Sequence, residues 1–255
     1  MLNDSSPRDL LTSTAKLEIR NDPYGVCLVM GAWNYPFNLV VAPLIGAIAA
    51  GNCCLIKPSE LAPVSAKLIC KLIDKYMDND CIQATFLNRE GSERLLKECK
   101  FDMIFFTGGC AVGKIIMMEA ARNLTPCVLE LGGKCPLYID EKADLDYCAS
   151  RIVGFKSFNA GQICINVDYI LCSSKTQEKL IPILQKKMKQ AYPKGQKESD
   201  DYSRIINQNH FDRLKSLIDT GNVENIYFAI LYAIKKLLVV GGSFFRKKIR
   251  KRFHI

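Results

Sequence analysis

The chain has 255 residues, of which 49% are hydrophobic and 24% charged. That balance excludes disorder, collagen and coiled coil as descriptions of the whole. Its formal charge of +9 is local: eight of the 35 basic residues and none of the 26 acidic ones lie in 226–255, which leaves 27 basic against 26 acidic groups before them; a nucleic-acid binder would spread such charge over a binding face, so no nucleic-acid partner is expected.

In chain order, Val26–Met30 predicts a strand, Gly31–Asn38 a turn-rich loop, Leu39–Ala50 a buried helix and Cys53–Lys57 a second strand stopped by Pro58. Residues 23–56 hold no charged side chain, yet Pro36, Pro43, Gly46 and Gly51 interrupt them too often for a membrane-spanning helix. From Val64, apolar residues recur at Leu68, Leu72 and Tyr76 with Ile69, Ile73 and Met77 beside them, while Lys67, Lys71 and Lys75 face outward: an amphipathic helix. Ile82–Phe86 and Met103–Phe106 predict strands, and a glycine-rich turn over 108–113 leads into a helix over Lys114–Arg122. Val128–Leu131, Leu137–Ile139 and Tyr169–Cys172 are further strands; Asp144–Asn159, Thr176–Gln190 and His210–Asp219 are helices, and Tyr192–Asp201 is a surface loop. Short apolar strands alternating with helices predict an α/β fold built on a mostly parallel sheet.

Twelve cysteines are scattered with no CxxC pair, and the only histidines are His210 and His254. No metal site is expected, nor Ser-His-Asp catalysis; free thiols in a reducing compartment are. The polar N-terminus carries no secretory signal, so the predicted location is cytoplasmic.

Five segments carry chemistry. Gly108-Gly-Cys-Ala-Val-Gly113 links a strand to a helix, where backbone N–H groups can approach a pyrophosphate, although the same turn also serves as a plain strand–helix connection. Lys57-Pro-Ser-Glu60 follows a strand; Lys57 and Glu60 can reach ribose hydroxyls there, or Ser59 can cap a helix with Glu60 in its first turn. Asn34, just beyond the first strand and next to the only tryptophan, Trp33, can donate to a developing oxyanion or satisfy its own loop. Glu130 lies in the apolar run Pro126–Leu131; burial there would raise its pKa toward that of a general base, whereas an edge position would leave it facing solvent. Cys164 follows a helix and a Gly-Gln turn, in a loop where a thiol can serve as a nucleophile and packing explains it less simply.

In this order, Pro23-Tyr-Gly-Val26, Trp33-Asn-Tyr-Pro-Phe-Asn38, Ala49-Ala-Gly-Asn52, Lys57-Pro-Ser-Glu60, Phe106-Thr-Gly108, Glu130-Leu-Gly-Gly-Lys134 and Gly161-Gln-Ile-Cys164 resemble the aldehyde dehydrogenase superfamily over roughly residues 15–220. Tyr35-Pro-Phe-Asn38, Leu124-Thr-Pro126 and Asp168-Tyr-Ile-Leu-Cys172 resemble its class 3 branch, which acts on fatty and aromatic aldehydes with NAD or NADP. The resemblance implies a Rossmann-type parallel-sheet cofactor domain over 1–134, the first part of an α/β catalytic domain over 135–221 and a divergent tail over 222–255. It implies that Cys164 attacks the aldehyde, that Asn34 and the Cys164 N–H hold the oxyanion, and that Glu130 activates the hydrolytic water. Trp33, Lys57, Glu60, Gly108 and Gly113 would line the cofactor site. Full-length members pair as homodimers.

The chain departs from the family pattern at Gly109-Cys110, in place of a Ser-Thr-like pair, and at Ile163 and Asn166-Val167 beside the nucleophile. An N-terminal helical segment, the second half of the catalytic domain with its Glu-x-Phe-Gly-Pro motif, and the strand that pairs subunits are expected to be missing. Val239-Val-Gly-Gly-Ser243 resembles a later segment of the family, so Asn222–Lys236 reads as an insertion. The alternative function is a non-catalytic NAD-binding or regulatory fragment of a longer enzyme. For the apolar, then basic, residues 226–255 the alternative role is membrane association.

Overall fold

In the computed structural model, which describes residues 21–219 and 238–240, strands and helices alternate in two units, the chain passing from one to the other between Glu130 and Leu131. In the first, β1 (Val26–Met30), β2 (Cys53–Lys57), β3 (Ile82–Ala84), β4 (Met103–Gly108) and β5 (Cys127–Leu131) form one sheet in the order β3-β2-β1-β4-β5. β1 runs parallel to both β2 and β4, and β2 parallel to β3. The chain thus winds outward on one side of β1, then returns to build the other side. Such a reversal of winding opens a crevice at the C-terminal strand ends, where ligands of open α/β sheets bind.

Helices α1 (Asn38–Ala49), α2 (Pro63–Tyr76), α3 (Arg89–Glu98) and α4 (Cys110–Arg122) connect these strands. Val40 and Leu44 from α1, and Ile69 and Ile73 from α2, pack with Cys27, Cys54, Ile56 and Ile82 of the sheet in one buried cluster. Each large aliphatic side chain buried there contributes about 1.5–3 kcal/mol.

The boundaries of β1 and β2 match the apolar runs residue for residue; other elements differ. α3 has no counterpart among the predicted elements, because only Leu96 of its ten residues is buried. It is held locally instead. Asn88 Oδ1 accepts the Gly91 N–H at 2.9 Å, and Arg89–Glu93 and Arg94–Glu98 pair at 3.1 Å along its exposed face. α4 begins at Cys110, a turn earlier than its predicted start at Lys114, so Gly113 lies inside the helix with its N–H bonded to Gly109 O at 3.0 Å. β3 is shorter than predicted.

The second unit contains β6 (Pro136–Tyr138), α5 (Leu145–Ser157), a 3-10 turn over Phe158–Gly161, β7 (Tyr169–Leu171), α6 (Ser174–Ala191), α7 (Gln208–Asp219) and β8 (Leu238–Val240). Its sheet has the order β6-β7-β8, with both pairs parallel. Asp144 caps α5 by accepting the N–H groups of Asp146 and Tyr147 at 3.0 and 3.1 Å, and Ser173 caps α6. Ala149, Ile152 and Val153 of α5 meet Leu180, Leu184 and Met188 of α6 in a core that also holds Ile170 and Cys172. Apart from β8, the tail over 222–255 lies outside the described residues. Among the described residues no helix is long and apolar enough to cross a membrane.

Candidate active site

In the first unit the site residues follow from strand register. Met30 lies beside Lys57 on one side and Phe106 on the other, and the Gly31 N–H donates to Lys57 O at 3.1 Å. β1, β2 and β4 therefore end together, and the segments leaving them carry Trp33 and Asn34, then Glu60, then Gly108 at one edge of the sheet. Trp33 and Asn34 are half-buried.

Lys57 is buried, 5% exposed, at the very end of β2. Its Nζ donates to Glu60 Oε2 at 2.7 Å and to Pro58 O at 3.2 Å. Burial pushes the Glu60 pKa up, but the Lys57 hydrogen bond, a main-chain hydrogen bond and the Lys57 charge together outweigh it, so the pKa is lowered. Ser59 is not a helix cap. α2 starts later, at Pro63 with Ala62 as its cap residue, and the Ser59 hydroxyl accepts the Leu61 N–H at 3.3 Å. The capping alternative for Ser59 and Glu60 is thereby overturned.

Gly108 closes β4. A Cβ there would stand 2.3 Å from Phe106 Cζ, so the close approach of the Phe106 ring requires glycine. At Gly109, the cap residue of α4, a Cβ would meet nothing within 4 Å; no side chain caps this helix and its first turn holds no acid. Beside it, Thr107 Oγ1 is buried without a hydrogen-bond partner among the described residues. An open, uncapped helix N-terminus next to an orphaned hydroxyl and a Lys–carboxylate pair suits the phosphates and ribose of a dinucleotide.

Glu130 is a correction to the burial expected of it. It is exposed, as is Val128 on the same face of β5, whereas Cys127, Leu129 and Leu131 are half-buried. β5 is the outer strand of its sheet, so one face of the apolar run meets solvent.

Cys164 lies exposed in a turn of the second unit, a turn held from several sides. Just before it the backbone is left-handed at Asn159 (φ 49°), Ala160 (φ 53°) and Gly161 (φ 75°). That conformation costs a non-glycine residue about 1–2 kcal/mol. Gln162 offsets the cost: its Nε2 donates to Asn159 O and Arg204 O, both at 3.0 Å, and its Oε1 accepts the Ile206 N–H at 3.0 Å. Asn166, buried, donates from Nδ2 to Gly161 O at 3.3 Å, which gives this departure from the family pattern a structural purpose. Lys156, also buried, donates to Val167 O at 2.9 Å. Asp168 accepts the Cys135 N–H at 3.3 Å and returns its own N–H to Cys135 O at 2.9 Å. Finally, the Cys135 thiol donates to Cys164 O at 3.2 Å.

Lys156 and Cys135 carry no role in the sequence reading, and Asp168 enters it only as the start of a family-like segment. The one available signal for Cys135 was its place directly after Gly132-Gly-Lys134. Among the described residues no group of three or more side chains could hold a metal ion.

A model of the aldehyde dehydrogenase family matches residues 4–233. Among curated proteins, the chain is 46% identical over 223 residues to mouse aldehyde dehydrogenase family 3 member B2, covering 88% of this chain and 46% of that protein. It is 49% identical over 212 residues to member A2 of the same family from Macaca fascicularis, covering 83% and 44%. A mouse relative described as dimeric and NADP-preferring is 48% identical, covering 83% and 47%. The chain thus spans about half the length of the curated relatives it matches. Among solved structures, a substrate-bound Staphylococcus aureus AldH superposes with a TM-score of 0.78 at 34% identity, covering 90% of this chain and 56% of that one. A Mycobacterium tuberculosis aldehyde dehydrogenase complexed with NAD+ shares the fold, with a TM-score of 0.72 at 23% identity, covering 86% and 52%.

Proposed function

Because the chain belongs to the aldehyde dehydrogenase family, we propose that Cys164 is the nucleophile of an NAD- or NADP-dependent oxidation of fatty or aromatic aldehydes to carboxylic acids. The observation that carries this reading is the exposed thiol on a turn locked by buried polar contacts. A nucleophile gains most when its backbone is fixed before substrate arrives.

The Cys164 sulfur adds to the aldehyde carbon and yields a thiohemiacetal. The Asn34 carboxamide and the Cys164 N–H donate to the oxygen that becomes negative. Bound NAD or NADP would supply the hydride acceptor that turns this adduct into a thioester. Glu130 then takes a proton from the water that hydrolyses the thioester, its exposed position giving that water access. Lys57 and Glu60 hold ribose hydroxyls, Trp33 and Gly108 line the cofactor, and the first turn of α4, with Gly113 inside it, faces the pyrophosphate.

The test is to mix the purified chain with a long-chain aldehyde and NAD+ and to follow NADH together with the mass of the Cys164 peptide. An acyl adduct on Cys164 with matching NADH is expected. Cys164→Ala should lose both, by on the order of 10³-fold or more in rate; turnover surviving in that variant overturns the assignment. The second reading, a cofactor-binding fragment without catalysis, is favoured by the five-stranded sheet found among the described residues of a chain that spans about half the length of its relatives. It predicts that NAD+ raises the melting temperature by mass action with no NADH formed.

A further inference from the structure

Of the four cysteines in the second unit, Cys172 is part of the hydrophobic core and Cys148 packs against it. The other two, Cys135 and Cys164, both lie outside helices and strands and both reach solvent. They are 29 residues apart in sequence, yet the Cys135 sulfur stands 3.2 Å from the main-chain oxygen of Cys164. The Cys135 backbone is fixed by its reciprocal hydrogen bonds with Asp168, a residue only 3% exposed. A second thiol is therefore held against the very residue proposed as the nucleophile. Each of the two side chains has a single torsion to its sulfur, and neither is locked in a packed core.

We propose that Cys135 and Cys164 form an oxidative modification site: a hydroperoxide converts the pair to a disulfide that closes the nucleophile reversibly. The inference rests on the reading of Cys164 as the reactive thiol. In the first step the Cys164 thiolate attacks one peroxide oxygen. An S–O bond forms and the O–O bond breaks, so the sulfur becomes a sulfenic acid and the other oxygen leaves as water or an alcohol after taking a proton. In the second step the Cys135 sulfur attacks the Cys164 sulfur. The S–S bond forms, the S–O bond breaks, and water leaves with the Cys135 proton. Two thiols have lost two electrons and one peroxide has gained them. A dithiol reductant reverses the change by exchange. In the disulfide Cys164 is neither available to an aldehyde nor open to the irreversible sulfinic and sulfonic states.

The experiment treats the purified chain with hydrogen peroxide, blocks the remaining thiols, and maps peptides by mass spectrometry without reduction. The expected result is a peptide pair joining Cys135 to Cys164, two hydrogens lighter than its parts, which separates on treatment with dithiothreitol. Cys148→Ser should keep the link. In Cys135→Ser, Cys164 should proceed to sulfinic acid, and its thiol should no longer be recovered by dithiothreitol. Cys164 over-oxidised in the unmodified chain, or joined to a different cysteine, overturns the proposal; that readout needs no variant to fold. The same samples assayed for the acyl adduct separate the two claims. A link without any adduct retains the disulfide site and removes the nucleophile role, whereas an adduct without any link does the reverse.

Discussion

The two units position their chemistry by opposite means. In the first, Lys57 and Gly108 are the last residues of strands, and parallel register alone brings them to one edge beside β1. In the second, Cys164 lies on irregular backbone, and the side chains of Cys135, Gln162 and Asn166 hold its turn by hydrogen bonds to main-chain oxygens, one as distant as Arg204 O. A register-built site inherits the stability of its sheet; a turn-built site is only as firm as each contact, but it can present a reactive side chain to solvent on a fixed backbone.

That contrast breaks most visibly at Gln162. Gln162→Ala removes three hydrogen bonds to main-chain groups; Arg204 O and the Ile206 N–H lose the Gln162 side chain, while Asn159 O keeps the residue 162 N–H. The expected cost is about 2–3 kcal/mol, read from the denaturant midpoint of the second unit, while any NAD+-induced shift of the first unit persists. A loss under about 0.5 kcal/mol would show that the turn is held elsewhere. Within the first unit, Gly108→Ala drives a methyl group into the Phe106 ring and should cost about 2 kcal/mol, whereas Gly109→Ala points into open space and should cost about 0.5 kcal/mol. Equal effects on the melting temperature would refute the close approach.

The Lys57–Glu60 pair sharpens the comparison through pH. The Glu60 pKa is lowered on folding, so its stabilisation is present above the ordinary glutamate range, about 4.3, and fades as pH falls through the lower folded value. Glu60→Gln should cost up to about 1 kcal/mol at neutral pH, since the carboxylate is partly exposed, and the gap from the parent chain should close in acid. Melts at both pH values check this; a gap that widens in acid contradicts the assigned direction. The smallest effect belongs to the second unit. Tyr202 Oη is buried without a hydrogen-bond partner among the described residues, and burial, helped by Tyr192 and only partly offset by the Arg204 charge, raises its pKa to about 12. Tyr202→Phe should be neutral or stabilising by about 0.5 kcal/mol. The unfolded tyrosine ionises near 10, so the parent chain alone loses this contribution as pH rises from there to about 12, and the variant's relative advantage should grow. Paired urea titrations across that window measure it.

Much of the first unit was legible because its strands are short apolar runs bounded by Gly25, Pro58 and similar breaks, and a parallel sheet buries both faces of its inner strands. The same logic failed at Glu130: an apolar run does not say which strand is outermost, and β5 is. α3 escaped because a helix held by a cap and ion pairs leaves little hydrophobic period to see. In the second unit Cys164 was legible by motif, but what holds it was not. The Gln162–Ile206 and Cys135–Cys164 contacts join residues 44 and 29 positions apart, and composition carries no trace of such pairings.

The placement of β8 sets an order of events during synthesis. All five described strands of the first sheet lie between Val26 and Leu131, whereas the β7–β8 pairing of the second sheet forms only when Leu238–Val240 reaches Tyr169–Leu171. A nascent chain can therefore hold a finished first sheet while the second still shows an unpaired edge on β7, and such an edge invites wrong partners. The second unit, which carries Cys164, therefore gains its β7–β8 pairing only after every described strand of the first sheet has left the ribosome.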